Sequence, residues 1–199
     1  MMDQAAQLDE LISHMIEDYI SHNRAARILR TMLNEAGVGL IPLVDHLTIR
    51  TYNIEHGAAP FVALGYLYEE TLEYADWYAK VYRKRGYPAL FVDQAYPDER
   101  GNTSIIPGWV TKFGDHVFHH IAVRVENIDI AVDRLKQKGV VFAGKIVGAP
   151  GDALRQVFSA PETVDGQPFS VLELAERHRG YEGFLPPQAD SLMKSTAPR

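Results

Sequence analysis

Two histidines and a glutamate stand where chemistry would need them. His46 opens the run His46-Leu47-Thr48-Ile49-Arg50, His120 opens His120-Ile121-Ala122-Val123-Arg124, and Glu173 lies inside Ser170-Val171-Leu172-Glu173-Leu174-Ala175. The first two runs alternate as strands do, so His46, Thr48 and Arg50 share one side while Leu47 and Ile49 take the other, and His120, Ala122 and Arg124 repeat the arrangement. A carboxylate among apolar neighbours on a buried strand needs a partner, because an isolated ionised carboxylate is costly to desolvate. A metal would supply one, and so would an ion pair with Arg177 or another arginine. Two histidines and one carboxylate make the facial triad that suits non-haem Fe(II), with positions left open for substrate and O2. Neutral imidazoles and a single carboxylate leave the ion a residual positive charge, which an anionic substrate can chelate.

The remaining histidines carry weaker signals. His14, His22, His56 and His178 read as hydrogen-bonded structural residues. His116 and His119 lie nearer the proposed site; His119 points away from His120 on a regular strand, which leaves a supporting role for one of the two. The chain has no cysteine, so any metal must use nitrogen and oxygen donors, and disulfides and thiol nucleophiles are excluded. With 20 Lys+Arg against 26 Asp+Glu the formal charge is −6, which argues against a nucleic-acid partner and for a small molecule. No apolar run approaches the roughly 20 residues of a membrane span, and the N-terminal Met1-Met2-Asp3-Gln4 opens on an acid rather than a basic leader; a cytoplasmic protein without membrane association is expected.

The elements that must position these residues follow from periodicity. At 199 residues the chain is one domain or two small modules, and 46% hydrophobic with 23% charged content is that of a globular protein. Residues 4–37 read as two helices, with Asn23 as N-cap of the second and Gly37 as its terminator. A strand over 44–52 follows, then a helix over 53–65 with Phe61, Val62 and Leu64 facing inward, then strands near 66–74, 77–83 and 89–93. Residues 96–109, with Pro97, Gly101, Asn102, Pro107 and Gly108, read as a long loop that is either a linker or a site cover. The pattern then starts again: a strand over 117–125, a helix over 128–138 ended by Gly139, and strands over 140–146, 153–160 and 169–175. Both halves read strand, helix, three strands, and both first strands read His, apolar, small, apolar, Arg, so duplication is the better account. The expected organisation is a single α+β domain over 1–199, with N-terminal helices at 4–37, a first βαβββ module at 43–95, a connecting loop at 96–116, a second module at 117–177 and a C-terminal extension at 178–199.

This tandem pattern, with a histidine on the first strand of each half and a glutamate on the last strand, resembles the vicinal oxygen chelate superfamily, whose glyoxalase-like fold is a cupped mixed sheet. More narrowly, Val44-Asp45-His46-Leu47-Thr48-Ile49-Arg50-Thr51, His119-His120-Ile121-Ala122-Val123-Arg124 and Leu172-Glu173-Leu174-Ala175-Glu176-Arg177 resemble the 2-oxoadipate dioxygenase/decarboxylase family, also called 2-hydroxyglutarate synthase. Leu154-Arg155-Gln156-Val157-Phe158-Ser159 is similar to the segment before the metal glutamate of hydroxyphenylpyruvate dioxygenases, and the resemblance runs from 43 to 196. It implies His46, His120 and Glu173 as metal ligands, Arg50 as the residue engaging the substrate carboxylate, and Gln156 as a pocket residue near the glutamate. The planar fork of Arg50 suits a carboxylate, and Arg50 is preferred over Arg124 and Arg155.

The implied reaction is oxidative decarboxylation of a small, 2-oxoadipate-like 2-oxo acid with O2. The implied cofactor is Fe(II), with Zn, Ni or Mn as substitutes. Members of that family are commonly longer than this chain, which bears on the substrate more than on the metal. Two other functions stay open. A metal-dependent isomerase, epimerase or lyase would work without O2 and commonly uses a fourth protein ligand, often glutamate; Asp93, near a strand end, is the nearest acid in the equivalent first-half strand. A metal-free binding module would use the same cup with structural histidines. The stretch 180–188 either closes over the cup or packs outside it, and the oligomeric state is open, a homodimer included.

Overall fold

The computed structural model describes residues 3–195. Met1 and Met2, on which the N-terminal reading begins, and residues 196–199, with the end of the C-terminal extension and of the resemblance at Thr196, lie outside the described residues. The chain clusters into two compact units, the first made of residues up to Asp18 with His46–His119, the second of Tyr19–Asp45 with the residues from His120 onward.

The expected helical pair is α1 (Gln4–His22) and α2 (Arg24–Glu35). Leu8, Ile12, Ile16 and Tyr19 recur at helical spacing and are all buried. The Asn23 side-chain oxygen accepts from the Ala26 N–H at 2.9 Å, which caps α2, and Gly37 takes the left-handed conformation that ends it.

The first unit holds β1 (Val44–Arg50), α3 (Ile54–Ala63), β2 (Leu67–Glu73), β3 (Trp77–Arg83) and β4 (Ala89–Ala95). Its strand order is β2-β3-β4-β1, antiparallel except that β1 runs parallel to β4. A parallel pair needs a crossover, and α3 begins it. Phe61 is buried as expected, but Val62 is 46% exposed and Leu64 half-buried. The inward stripe is Ile54, Gly57, Ala58 and Phe61; Val62, one turn beyond Ala58, falls at its edge and stays exposed.

The stretch expected to be a loop is largely ordered secondary structure. Glu99–Thr103 forms a 3-10 turn, and α4 (Ile106–Phe113) follows. Gly101 permits the turn, since a Cβ there would lie 2.0 Å from the Tyr96 carbonyl oxygen. Ile106, Trp109 and Val110 bury one face of α4 against β4.

β5 (Val117–Arg124) leads into the second unit, which continues with α5 (Ile128–Gln137), β6 (Leu154–Phe158), β7 (Glu162–Val164), β8 (Gln167–Arg177) and α6 (Pro186–Ser195). β8 lies between β5 and β6, parallel to the first and antiparallel to the second, with the short β7 also paired to it. α2 and α5 pack against β8. The strand expected over 140–146 does not form. Only two antiparallel bridges join this segment to the region of β6, Phe142 with Ser159 and Val147 with Gln156. Between them 143–146 oppose only Val157 and Phe158, so the longer side bulges out of register.

The repeat extends further than the five residues first noted. Asn53 and Asn127 stand at the same distance beyond His46 and His120, and each caps the helix that follows, accepting from the N–H groups of His56 and Ile130. Among the described residues no helix is long and apolar enough to cross a membrane.

Candidate functional site

In the second unit the pairing register decides which side chains meet. Glu173 lies beside Ala122 of β5 and Phe158 of β6, and Gln156 pairs with Ala175 two residues on, so Glu173, Phe158 and Gln156 share a face with His120. Glu173 is 1% exposed. His120 Nε2 is 3.2 Å from its Oε2, and the Gln156 amide donates to its Oε1. The His120 ring lies 5.0 Å from that of Phe158. On the same face Leu192 of α6 packs against Phe158 and Val171. The C-terminal segment therefore folds back over the Glu173 face of its own unit. Beside it the Tyr19 hydroxyl donates to the Val171 carbonyl, and burial pushes its pKa well above the ordinary tyrosine value.

The other arginines of this unit are engaged elsewhere. Arg177 donates to both oxygens of Asp45 at 2.8 and 2.9 Å and to the Gly183 carbonyl at 2.7 Å, with its guanidinium 4.8 Å from the Phe184 ring. Arg124 reaches Asp45 and Glu182, each at 2.8 Å. Arg155 lies on the opposite face, 2.9 Å from Asp129 and 3.3 Å from Glu176. Glu176 also accepts from the Ile128 N–H at 2.6 Å, so this pair serves the start of α5.

In the first unit β1 and β4 bring His46, Thr48 and Arg50 onto one face with Ala89, Phe91 and Asp93. The ring of His46 lies 5.0 Å from that of Phe91. Arg50 is 1% exposed, and its guanidinium carbon is 5.2 Å from the centre of the Trp109 ring. Burial lowers the Arg50 pKa to about 10, with Asp93 acting the other way, so the guanidinium stays charged at neutral pH. Burial raises the Asp93 carboxyl to about 7 against the opposing pull of Arg50 and then His46. α4 thus covers the Arg50 face of its unit as α6 covers the Glu173 face of the other. The stretch 96–109, expected to be a linker or a site cover, leads into this helix.

The two registers correspond step by step. His46 pairs with Ala89 as His120 pairs with Val171, Thr48 with Phe91 as Ala122 with Glu173, and Arg50 with Asp93 as Arg124 with Ala175. Phe91 therefore stands where the second module has Glu173. Asp93 lies one step further along the same face, where the second module has alanine.

Sequence reasoning missed Trp109 as part of the site. The signal was present, since Ile106, Trp109, Val110 and Phe113 have helical spacing, but the prolines and glycines around them suggested a loop. His119 is buried and meets Trp109 edge-on at 5.9 Å. His116 is partly exposed beside Asp115.

Residues 50–169, more than half of the chain, match the Glyoxalase/Bleomycin resistance protein/Dioxygenase superfamily. The chain belongs to this superfamily. Its α+β fold is the one expected from the vicinal oxygen chelate resemblance, and its N-terminal helical pair is the one read from periodicity. Among solved structures it is similar to the hydroxyglutarate synthase of Oryza sativa in complex with 2-oxoadipate, with a TM-score of 0.78 at 17% identity, covering 97% of this chain and 93% of that one. A Shewanella frigidimarina NCIMB 400 protein described only provisionally as a hydrolase gives 0.74 at 20% identity, covering 94% and 99%. Methylmalonyl-CoA epimerase of Mycobacterium tuberculosis gives 0.52 at 20% identity, covering 69% and 89%. No curated protein sequence matches the chain. At these identities the likeness shows the fold, and one fold carrying differently named activities leaves the chemistry to the site.

Proposed function

We propose that this protein is a metal-dependent dioxygenase/decarboxylase acting on a small 2-oxo acid, with His46, His120 and Glu173 holding the metal ion. The donor types fit a divalent ion of the Fe(II) class, being two imidazoles and one buried carboxylate with no thiolate. When bound, the metal supplies chelation of the oxo acid and activation of O2. The protein's residues do the rest. The Gln156 amide holds the Glu173 carboxylate in one orientation. Arg50 takes the substrate carboxylate, its guanidinium plane restrained by Trp109. Phe91 lies against the His46 ring in one unit and Phe158 against the His120 ring in the other, apolar cover that would keep water from each histidine.

The observation that carries this reading is Phe91. An isomerase of this superfamily would take a fourth ligand from the first module, and the position related to Glu173 carries a phenyl ring instead. Three ligands leave room for a chelating substrate and O2 together. The test is anaerobic reconstitution with Fe(II), followed by O2 uptake and CO2 release with a panel of 2-oxo acids. Equimolar consumption and release are expected, and both should disappear with the metal in His120→Ala. Turnover of an oxo acid without O2 would favour the isomerase. Stable protein that retains no metal would favour a binding module.

A further inference from the structure

Asp93 has no part in the reaction just described, and its attraction for Arg50 leaves one of its two oxygens without a donor. It is 2% exposed, and its Oδ1 has no hydrogen-bond partner among the described residues. A buried acceptor without a donor is unfavourable, and a native fold that keeps one calls for a reason. The frame does not require it, because the repeat-related position is Ala175 in the same parallel register. Nor does its neighbour satisfy it. Across β3 stands Ala79, at the position where the second module has Gln156. Gln156 brings an amide donor to Glu173, whereas Ala79 brings neither donor nor bulk.

Arg50 is the register partner of Asp93 on the same face, so a strong donor group and an open acceptor stand side by side under Trp109. A carboxylate ligand satisfies the arginine but offers the aspartate nothing. A hydroxyl satisfies the aspartate by donating to it. An ammonium would do so too, but the neighbouring guanidinium opposes it.

We propose that Asp93 is a substrate-binding residue that accepts a hydrogen bond from a hydroxyl of the ligand, so that the preferred substrate is a hydroxylated 2-oxo acid. The carboxylate engages Arg50, and the hydroxyl reaches Asp93 Oδ1. This deepens the proposed function and rests on it for the oxo-acid part.

The experiment pairs 2-oxobutyrate with 2-oxo-4-hydroxybutyrate, measuring dissociation constants by anaerobic calorimetry on the Fe(II)-loaded protein and O2 uptake in parallel. The hydroxylated acid should bind roughly ten- to a hundredfold more tightly, the range of a hydrogen bond to a charged group. Asp93→Leu should erase the preference, and Asp93→Asn, which keeps an acceptor, should retain part of it; thermal unfolding checks that each variant is folded. Equal affinities in the wild type, or a preference that survives in folded Asp93→Leu, would overturn the assignment. A preference without O2 uptake would keep the role of Asp93 and remove the dioxygenase reading; O2 uptake without a preference would do the reverse.

Discussion

Replacing Asp93 with asparagine should stabilise the metal-free protein at pH 8 and do much less at pH 4.5. Burial raises this carboxyl from 3.8 to about 7, with Arg50 and His46 opposing it. In the unfolded chain it ionises near its ordinary value, so between roughly pH 4 and pH 7 the folded protein holds a proton that the unfolded one has released. The penalty of ionising Asp93 in the fold is therefore absent below that window, grows as pH rises through it, and is complete above it. At about 1.36 kcal/mol per pH unit the upper bound is about 4 kcal/mol. For a chain of this size a change of 1 kcal/mol moves the melting temperature by about 2–4 °C, so the bound corresponds to about 8–16 °C. The assay is calorimetric unfolding of chelator-treated wild type and Asp93→Asn at both pH values. The quantity compared is the difference between the two proteins, in which titrating groups not coupled to Asp93 cancel; the fixed cost of burying an amide drops out when that difference is compared between the two pH values. A gain at pH 8 that exceeds the gain at pH 4.5 by several degrees is expected. Equal differences at the two pH values would refute the assignment of a raised pKa to Asp93, and so would a variant less stable than wild type only at pH 8.

Two further substitutions probe other parts of the chain. Glu176→Gln should cost about 1.5–3 kcal/mol at pH 7 by weakening the bonds from the Ile128 N–H and Arg155, while metal retention stays unchanged because Glu176 lies on the face opposite Glu173. Burial pushes the Glu176 pKa up, but the Ile128 N–H, His178 and Arg155 together carry it below the glutamate range; this contribution is present above the unfolded value and fades as pH falls, so wild type and variant should converge on acidification. Phe91→Glu should add the missing first-module carboxylate, giving tighter metal retention by competition with a chelator and loss of O2 uptake. Unchanged O2 uptake in folded Phe91→Glu would show that the position does not face the metal.

Local pattern carried much of this structure. The alternation around His46 and His120, the capping asparagine and the helical stripe of α1 are properties of neighbouring residues, and they appear where the sequence places them. The exceptions have physical causes outside the local window. The 140–146 segment has strand-forming residues, but four of its residues oppose two across the gap, and only pairing can reveal such a mismatch. Trp109 lies among helix-breaking residues and still forms a helix, because its apolar face has β4 to pack against.

For the site, the residue types alone determined that any metal would meet nitrogen and oxygen donors and that two related strands would each present a histidine and an arginine to one face. Tertiary structure decided which arginine is held where. Arg124, beside Ala175, is held by Asp45 and Glu182, while Arg50 is buried next to Asp93 under Trp109. The two arginines occupy equivalent places in the repeat, so the difference lies in contacts from residues far away in the chain, which no strand's own sequence contains.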